Sequence, residues 1–140
     1  SFESQLFVKQ TIDSKIFMLT KATAHQFAHE WIAAWNSHDL NRVLEHYTDD
    51  FEMSTPFITK IMNEPSGTLY GKEAVKTYWQ QALQKIPDLH FELIEVLYSI
   101  DSLCIYYKSV LGLSAVEWLL FDRHGKVRKA IAHYNNFELP

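Results

Sequence analysis

Between Phe27 and Phe57 the chain passes from one helical stripe through a polar break to a second, and then switches to a strand period. Ala24, Phe27, Ala28, Trp31, Ile32 and Trp35 recur at the three-and-four spacing of one helix face. That spacing predicts an amphipathic helix carrying a broad aromatic ridge. Asn36 to Asp39 is polar and rich in capping side chains, so the helix stops there. Ser37 or Asp39 can then accept from the free N–H groups of a second helix, whose stripe is Leu40, Val43, Leu44 and Tyr47. Thr48, Asp49 and Asp50 end it. Phe51, Met53 and Thr55 alternate with Glu52 and Ser54, a strand period, and Pro56 closes the strand.

Ile58 to Tyr70 reads as a loop, with Asn63, Pro65, Ser66 and Gly67 as breakers. It is either a lid over a cavity or a plain connection. Gly71 opens a third helix with Ala74, Val75, Tyr78, Trp79, Ala82, Leu83 and Ile86 in helical period, and Pro87 stops it. The rest reads as sheet: strands over 89–100, 103–110, 113–121 and 126–135, with turns at 99–102, 111–112 and 122–125. Helices first and a long antiparallel meander after is an α+β arrangement. Residues 1–17 read as an N-terminal extension, in which Leu6 to Val8 could pair as an edge strand, and 18–140 as the domain.

At 140 residues one domain with a substantial core is expected, and an aromatic share of 14% can line a cavity as well. The formal net charge of −4 argues against a nucleic-acid partner, which calls for a basic stripe. The local basic cluster, Arg123 to Lys129, follows Asp122 and fits a solvated hairpin tip. A single cysteine, Cys104, permits neither an internal disulfide nor a thiolate metal site. His25 and His29 have a metal-capable spacing but no third ligand, so no metal or other cofactor is expected. No run is long enough to span a membrane and no signal-peptide core is evident. The expectation is a cytoplasmic protein without a membrane or nucleic-acid partner.

Four segments, WIAAWNSHDL, YTDDF, GKEAVKTYW and the final FDRHGKV followed by AHY, together resemble the nuclear-transport-factor-2-like (NTF2-like) superfamily. The branch they are most similar to is the SnoaL-like, polyketide-cyclase-like group, with steroid delta-isomerases as more distant relatives. The resemblance covers roughly residues 20–138. It implies a cone: three N-terminal helices packed on a curled antiparallel sheet that encloses a pocket. It also implies a homodimer formed through the outer sheet face and a small hydrophobic molecule as partner. The isomerase machinery does not carry over intact. Its aspartate base falls on Thr55, its donor tyrosine on Trp31 and the supporting tyrosine on Trp79, and only its second acid is kept in kind, as Glu117.

The last hairpin can be registered from the sequence. If Phe121 pairs with Lys126, Glu117 faces Ala130, with Ala115–Ala132, Leu113–Tyr134 and Leu119–Arg128 on the same face. A lone carboxylate among alanines and leucines marks a cavity wall and a raised pKa, which suits a general acid or base. A Glu held by Arg128 or by a tyrosine in a purely structural role is the alternative. His133 falls on the opposite face with Ser114, Val116, Trp118 and Ile131, and is the second candidate base if the register slips. Tyr106 and Tyr107 must point to opposite faces. A two-residue turn at Leu111-Gly112 brings Tyr106 beside Glu117, and a three-residue turn brings Tyr107. The candidate ligand-binding set is Trp31, Trp35, Tyr47, Met53, Thr55, Phe57, Trp79, Tyr106, Tyr107, Ala132 and Tyr134; the candidate catalytic pair is Glu117 and His133. Three functions fit: an acid/base enzyme on an apolar oxygen-bearing molecule, a non-catalytic binding module, or a dimeric scaffold.

Overall fold

A computed structural model describes residues 17–138. Helix α1 spans Lys21–Ser37. Its start is set by Thr20, whose hydroxyl accepts from the Thr23 N–H at 3.1 Å while Thr23 Oγ1 accepts from the Thr20 N–H at 2.8 Å. His38 ends it in the left-handed region. The polar break then does a second job. The Asn36 side chain donates to the Phe91 carbonyl and accepts from the Phe91 N–H, and His38 Nε2 lies 2.7 Å from the Leu89 carbonyl. Helix α2, Leu40–Leu44, is capped by Asp39 and tied to α1 by the Glu30–Arg42 ion pair at 2.7 Å.

Strand β1 runs Tyr47–Ser54, so Tyr47 begins a strand instead of closing the second helix stripe. Tyr47 and Phe51 are buried, and the stretch between them is claimed by the sheet rather than by the helix. The predicted loop 58–70 holds two elements: helix α3, Pro56–Met62, and strand β2, Thr68–Tyr70. The local signals were present. Thr55 caps α3 by accepting from the Phe57 N–H at 3.2 Å, and Pro56 occupies the first helical position, where its missing N–H costs nothing. Helix α4 spans Lys72–Lys85. Strands β3 (Glu92–Tyr98), β4 (Ser102–Lys108), β5 (Ser114–Phe121) and β6 (Val127–Tyr134) follow.

The six strands form one sheet in the order β2-β1-β6-β5-β4-β3. This corrects the expectation of a curled antiparallel sheet closed into a cone. The end strands β2 and β3 do not pair with each other, so the sheet stays open, and β1 runs parallel to β6. Closure would need tilted strands meeting edge to edge. Here β2 is only three residues long and passes at once into α4, while α1 packs along β3. Four α-helices, not three, are present among the described residues, and two of them fall after the first strand. The fold is α+β, with helices on one face of an open mixed sheet. The suggested strand at Leu6 to Val8 lies outside the described residues.

The core lies between helices and sheet. Inward residues of β5, Ala115, Glu117, Leu119 and Phe121, alternate strictly with half-buried outward ones. The last hairpin pairs Glu117 with Ala132, Ala115 with Tyr134 and Leu119 with Ala130, two residues from the expected register. One residue of the shift comes from the turn, where Asp122 pairs with Lys126 around Arg123-His124-Gly125. The other comes from a bulge that places Arg128 as an extra, exposed residue between Val127 and Lys129. Two shifts of one residue restore the faces, so Glu117 remains inward although its partner differs.

Candidate functional site: a buried carboxyl in an aromatic cavity

A cavity of about 60 Å³ lies between the inner sheet face and helices α1, α3 and α4. Its depth is buried: Trp31 and Trp35 from α1, Trp79 from α4, Phe91, and Tyr107 with Glu117 from the sheet. Its mouth is half-buried: Ile61 from α3, Ala82 from α4 with Ile86 just past its end, and Ser109 and Val110 at the β4–β5 turn. The aromatic rings brace one another. Trp31 stacks on Phe91 at 5.7 Å, and Trp35 meets Trp79 edge to face at 4.9 Å. No Lys, Arg or His lines the cavity among the described residues.

Glu117 is 4% exposed. The Tyr107 hydroxyl donates to its Oε2 at 3.2 Å, and Oε1 has no such donor among the described residues. Burial raises the carboxyl from 4.5 to about 8, and the Tyr107 hydrogen bond offsets only part of that. At neutral pH the group is therefore mostly protonated and can donate; near pH 8 it can also accept. Three phenols surround it. Tyr107, Tyr78 and Tyr134 are all pushed upward, chiefly by burial, and so remain protonated. The Thr55 hydroxyl, bonding to Tyr78 and Tyr134, works against that rise in both.

Of the candidate ligand-binding residues, Trp31, Trp35, Met53, Phe57, Trp79, Tyr107, Ala132 and Tyr134 line this cavity together with Glu117. Four candidates do not. Tyr106 points outward, because Val110-Leu111-Gly112 makes the longer, three-residue turn: Ser109 pairs with Leu113 and Tyr107 with Ala115. His133 is exposed on the outer face opposite Val116, away from the cavity, since the double register shift leaves the strand phase unchanged. Tyr47 sits behind the wall, its hydroxyl accepting from Trp31 Nε1 at 2.9 Å. That bond also occupies the Trp31 donor, leaving Trp31 only its ring to offer. Thr55 is buried beneath the phenols as the cap of α3.

Tyr78 and Phe91 belong to the cavity but were absent from the candidate set. Both stood in apolar stripes that the sequence displays. Which member of a stripe meets a cavity depends on the crossing of helix over sheet, which no single stripe encodes.

A family model described as "SnoaL-like domain" matches residues 28–126. No curated protein sequence matches the chain. Among solved structures, a SnoaL-like protein of unknown function from Burkholderia thailandensis is 51% identical. The match covers 86% of this chain and 100% of that one, with a TM-score of 0.82. An NTF2-like protein of unknown function from Burkholderia pseudomallei is 18% identical over 80% of this chain and 90% of that one, with a TM-score of 0.65. SalBIII, described as an epoxide hydrolase/cyclase-like enzyme in pyran ring formation in the polyether salinomycin, shares the fold. It is 12% identical over 82% of this chain and 92% of that one, with a TM-score of 0.63. With its helices on one sheet face and its match over most of the domain, the chain belongs to the SnoaL-like family.

Proposed function

We propose that this protein binds a small apolar, oxygen-bearing molecule in the cytoplasm and moves a proton on it through Glu117. One observation carries the reading: a buried carboxyl, with one oxygen free, on the wall of a cavity that holds no cationic side chain among the described residues. Burying such a group costs stability. A purely structural position would be filled better by an apolar residue, whereas acid/base chemistry benefits from a carboxyl titrating near neutrality. The cavity, at about 60 Å³, is small. It fits the reacting group of a ligand, with any larger remainder passing out between Ile61, Ala82, Ile86 and Val110. SalBIII, of similar fold, is described as an epoxide hydrolase/cyclase-like enzyme, which favours an enzymatic reading of the cavity.

Steroid isomerisation by the isomerase route is not part of the proposal, because Thr55 supplies no base and caps a helix instead. No metal or organic cofactor enters it. His133, on the outer face, is left without a catalytic role. That face carries the row Leu97, Cys104, Trp118 and Ile131, an apolar strip across four strands. We assign it to pairing with a second copy. A second reading, a binding module without chemistry, is favoured by the Tyr107 hydrogen bond, which holds Oε2 and so could be purely structural.

Thermal-shift screening against aromatic and polyketide-like carbonyl compounds tests the shared part of both readings, since a ligand of the folded form raises the midpoint. Conversion of any hit is then followed with Glu117→Gln. Loss of turnover with an unchanged circular dichroism spectrum is expected. Turnover that survives the substitution removes Glu117 from the chemistry, and saturable binding without turnover selects the binding module.

A further inference from the structure

The cavity has a polar group at its mouth as well as in its depth, and the strand register fixes how far apart they stand. Successive rows run along the inner sheet face. Glu117 pairs with Ile105 on β4, and in the next row Ala115 pairs with Tyr107. One row further, the Ser109 N–H donates to the Leu113 carbonyl at 2.8 Å. Residues two apart on a strand share a face. Ser109 therefore follows Ile105 and Tyr107 inward, and it lines the cavity. Four residues of strand separate it from the Glu117 row, roughly 13 Å at the backbone.

The fold makes no use of the Ser109 hydroxyl. Ser109 stands where a serine would cap the short turn Val110–Gly112, yet its side chain makes no cap hydrogen bond and has no other partner among the described residues. Backbone groups close the turn instead: the Leu113 N–H donates to the Val110 carbonyl at 3.0 Å. The rest of the mouth is apolar: Ile61, Ala82, Ile86 and Val110. Behind it, Leu89 and Phe91 continue that apolar wall toward Glu117. A half-buried hydroxyl thus faces a carboxyl across a greasy passage.

We propose that Ser109 is a specificity-determining residue: it selects an elongated, uncharged ligand that carries an oxygen at each end of an apolar stretch. The inference rests on the reading of the cavity as a ligand site. One oxygen lies near Glu117, and the other, a hydroxyl or carbonyl, meets Ser109 at the mouth. A serine hydroxyl both donates and accepts, so it pairs with either kind of oxygen. A polar group midway along the ligand would leave water with nothing in the apolar wall to replace it. An anionic end finds no Lys, Arg or His in the described lining to offset its charge.

Two pairs of ketones serve as probes: 2-octanone with 8-hydroxy-2-octanone, and 2-decanone with 10-hydroxy-2-decanone. Saturable binding is read by ligand-observed NMR on the wild type and on Ser109→Ala. The added hydroxyl should be worth roughly 5-fold more affinity in the wild type than in the variant, in at least one pair. The denaturation midpoints of the two proteins should coincide, since the hydroxyl bonds nothing in the fold. The wild type should bind 7-oxooctanoate, of the same length but ending in a carboxylate, more weakly than 8-hydroxy-2-octanone. If the hydroxyl is worth the same in both proteins for both pairs, the role of Ser109 is overturned and the ligand site stands. A lowered midpoint with that same result makes Ser109 a structural residue of the turn. Tighter binding of the carboxylate overturns the uncharged class. No saturable binding of any probe to the wild type overturns this inference together with the ligand site beneath it.

Discussion

Glu117 couples the chemistry of the cavity to the stability of the fold. Folded, it holds its proton to about pH 8; its ordinary value is 4.5. Between those values the folded state binds more protons than the unfolded chain, so stability falls as pH rises. The contribution is fully present below the unfolded value and lost as pH passes the folded one, and its whole size is roughly 5 kcal/mol. The amide of the Glu117→Gln variant cannot titrate. Denaturant midpoints of the two proteins should therefore separate in favour of the variant as pH rises toward about 8. Parallel profiles would mean that the carboxyl is solvated after all. Tyr107→Phe should sharpen the effect, because its hydrogen bond is what holds the Glu117 pKa down. Side-chain carbonyl NMR titration of that variant should move the Glu117 midpoint upward, and a downward move would contradict the assigned cause.

At the scale of the element, the β4–β5 turn decides which tyrosine enters the cavity. Its three residues place Tyr107 inward and Tyr106 outward, and the geometry is held at a cost. Leu111 has φ 57° and is 75% exposed. A left-handed non-glycine residue carries roughly 1–2 kcal/mol of strain, while glycine in the same place loses roughly 0.5–1 kcal/mol in chain entropy. Leu111→Gly should therefore stabilise the protein by about 0.5 kcal/mol. Chemical denaturation checks it, and a loss of stability would show that the exposed leucine packs on something. The bulge at Arg128 is the companion device on β6. It absorbs the residue that would otherwise turn Ala130, Ala132 and Tyr134 outward, and so keeps the alanine gaps and the second phenol over the carboxyl.

For the whole molecule, the open sheet leaves its outer face to be covered. Leu97 there is 58% exposed, and it pairs across to Cys104, Trp118 and Ile131. A charge placed at the centre of that strip would have to be buried in a dimer but not in a monomer, so Trp118→Lys should abolish pairing at little expense to the isolated fold. Light scattering after gel filtration should report a dimer for the wild type and a monomer for the variant. A monomeric wild type would leave the strip without its assigned partner. No helix among the described residues is long and apolar enough to cross a membrane.

The periodicities of the chain were enough to place α1, α4, the four C-terminal strands and the inward face of Glu117, because each depends on side chains a few residues apart. They failed where a local pattern competed with a distant partner. Tyr47 fits a helix stripe as well as a strand, and β6, running parallel beside β1, settled it. Thr55-Pro56 carried the signals of a helix start inside what reads as a loop. The open edges of the sheet, the turn length that chose Tyr107 over Tyr106, and the convergence of α1, α3 and α4 over one carboxyl were decided only in three dimensions. Periodicity states which face of a segment is apolar. The helices and strands that meet that face come from far along the chain, and their meeting determines whether a buried acid is walled in or left beside a space.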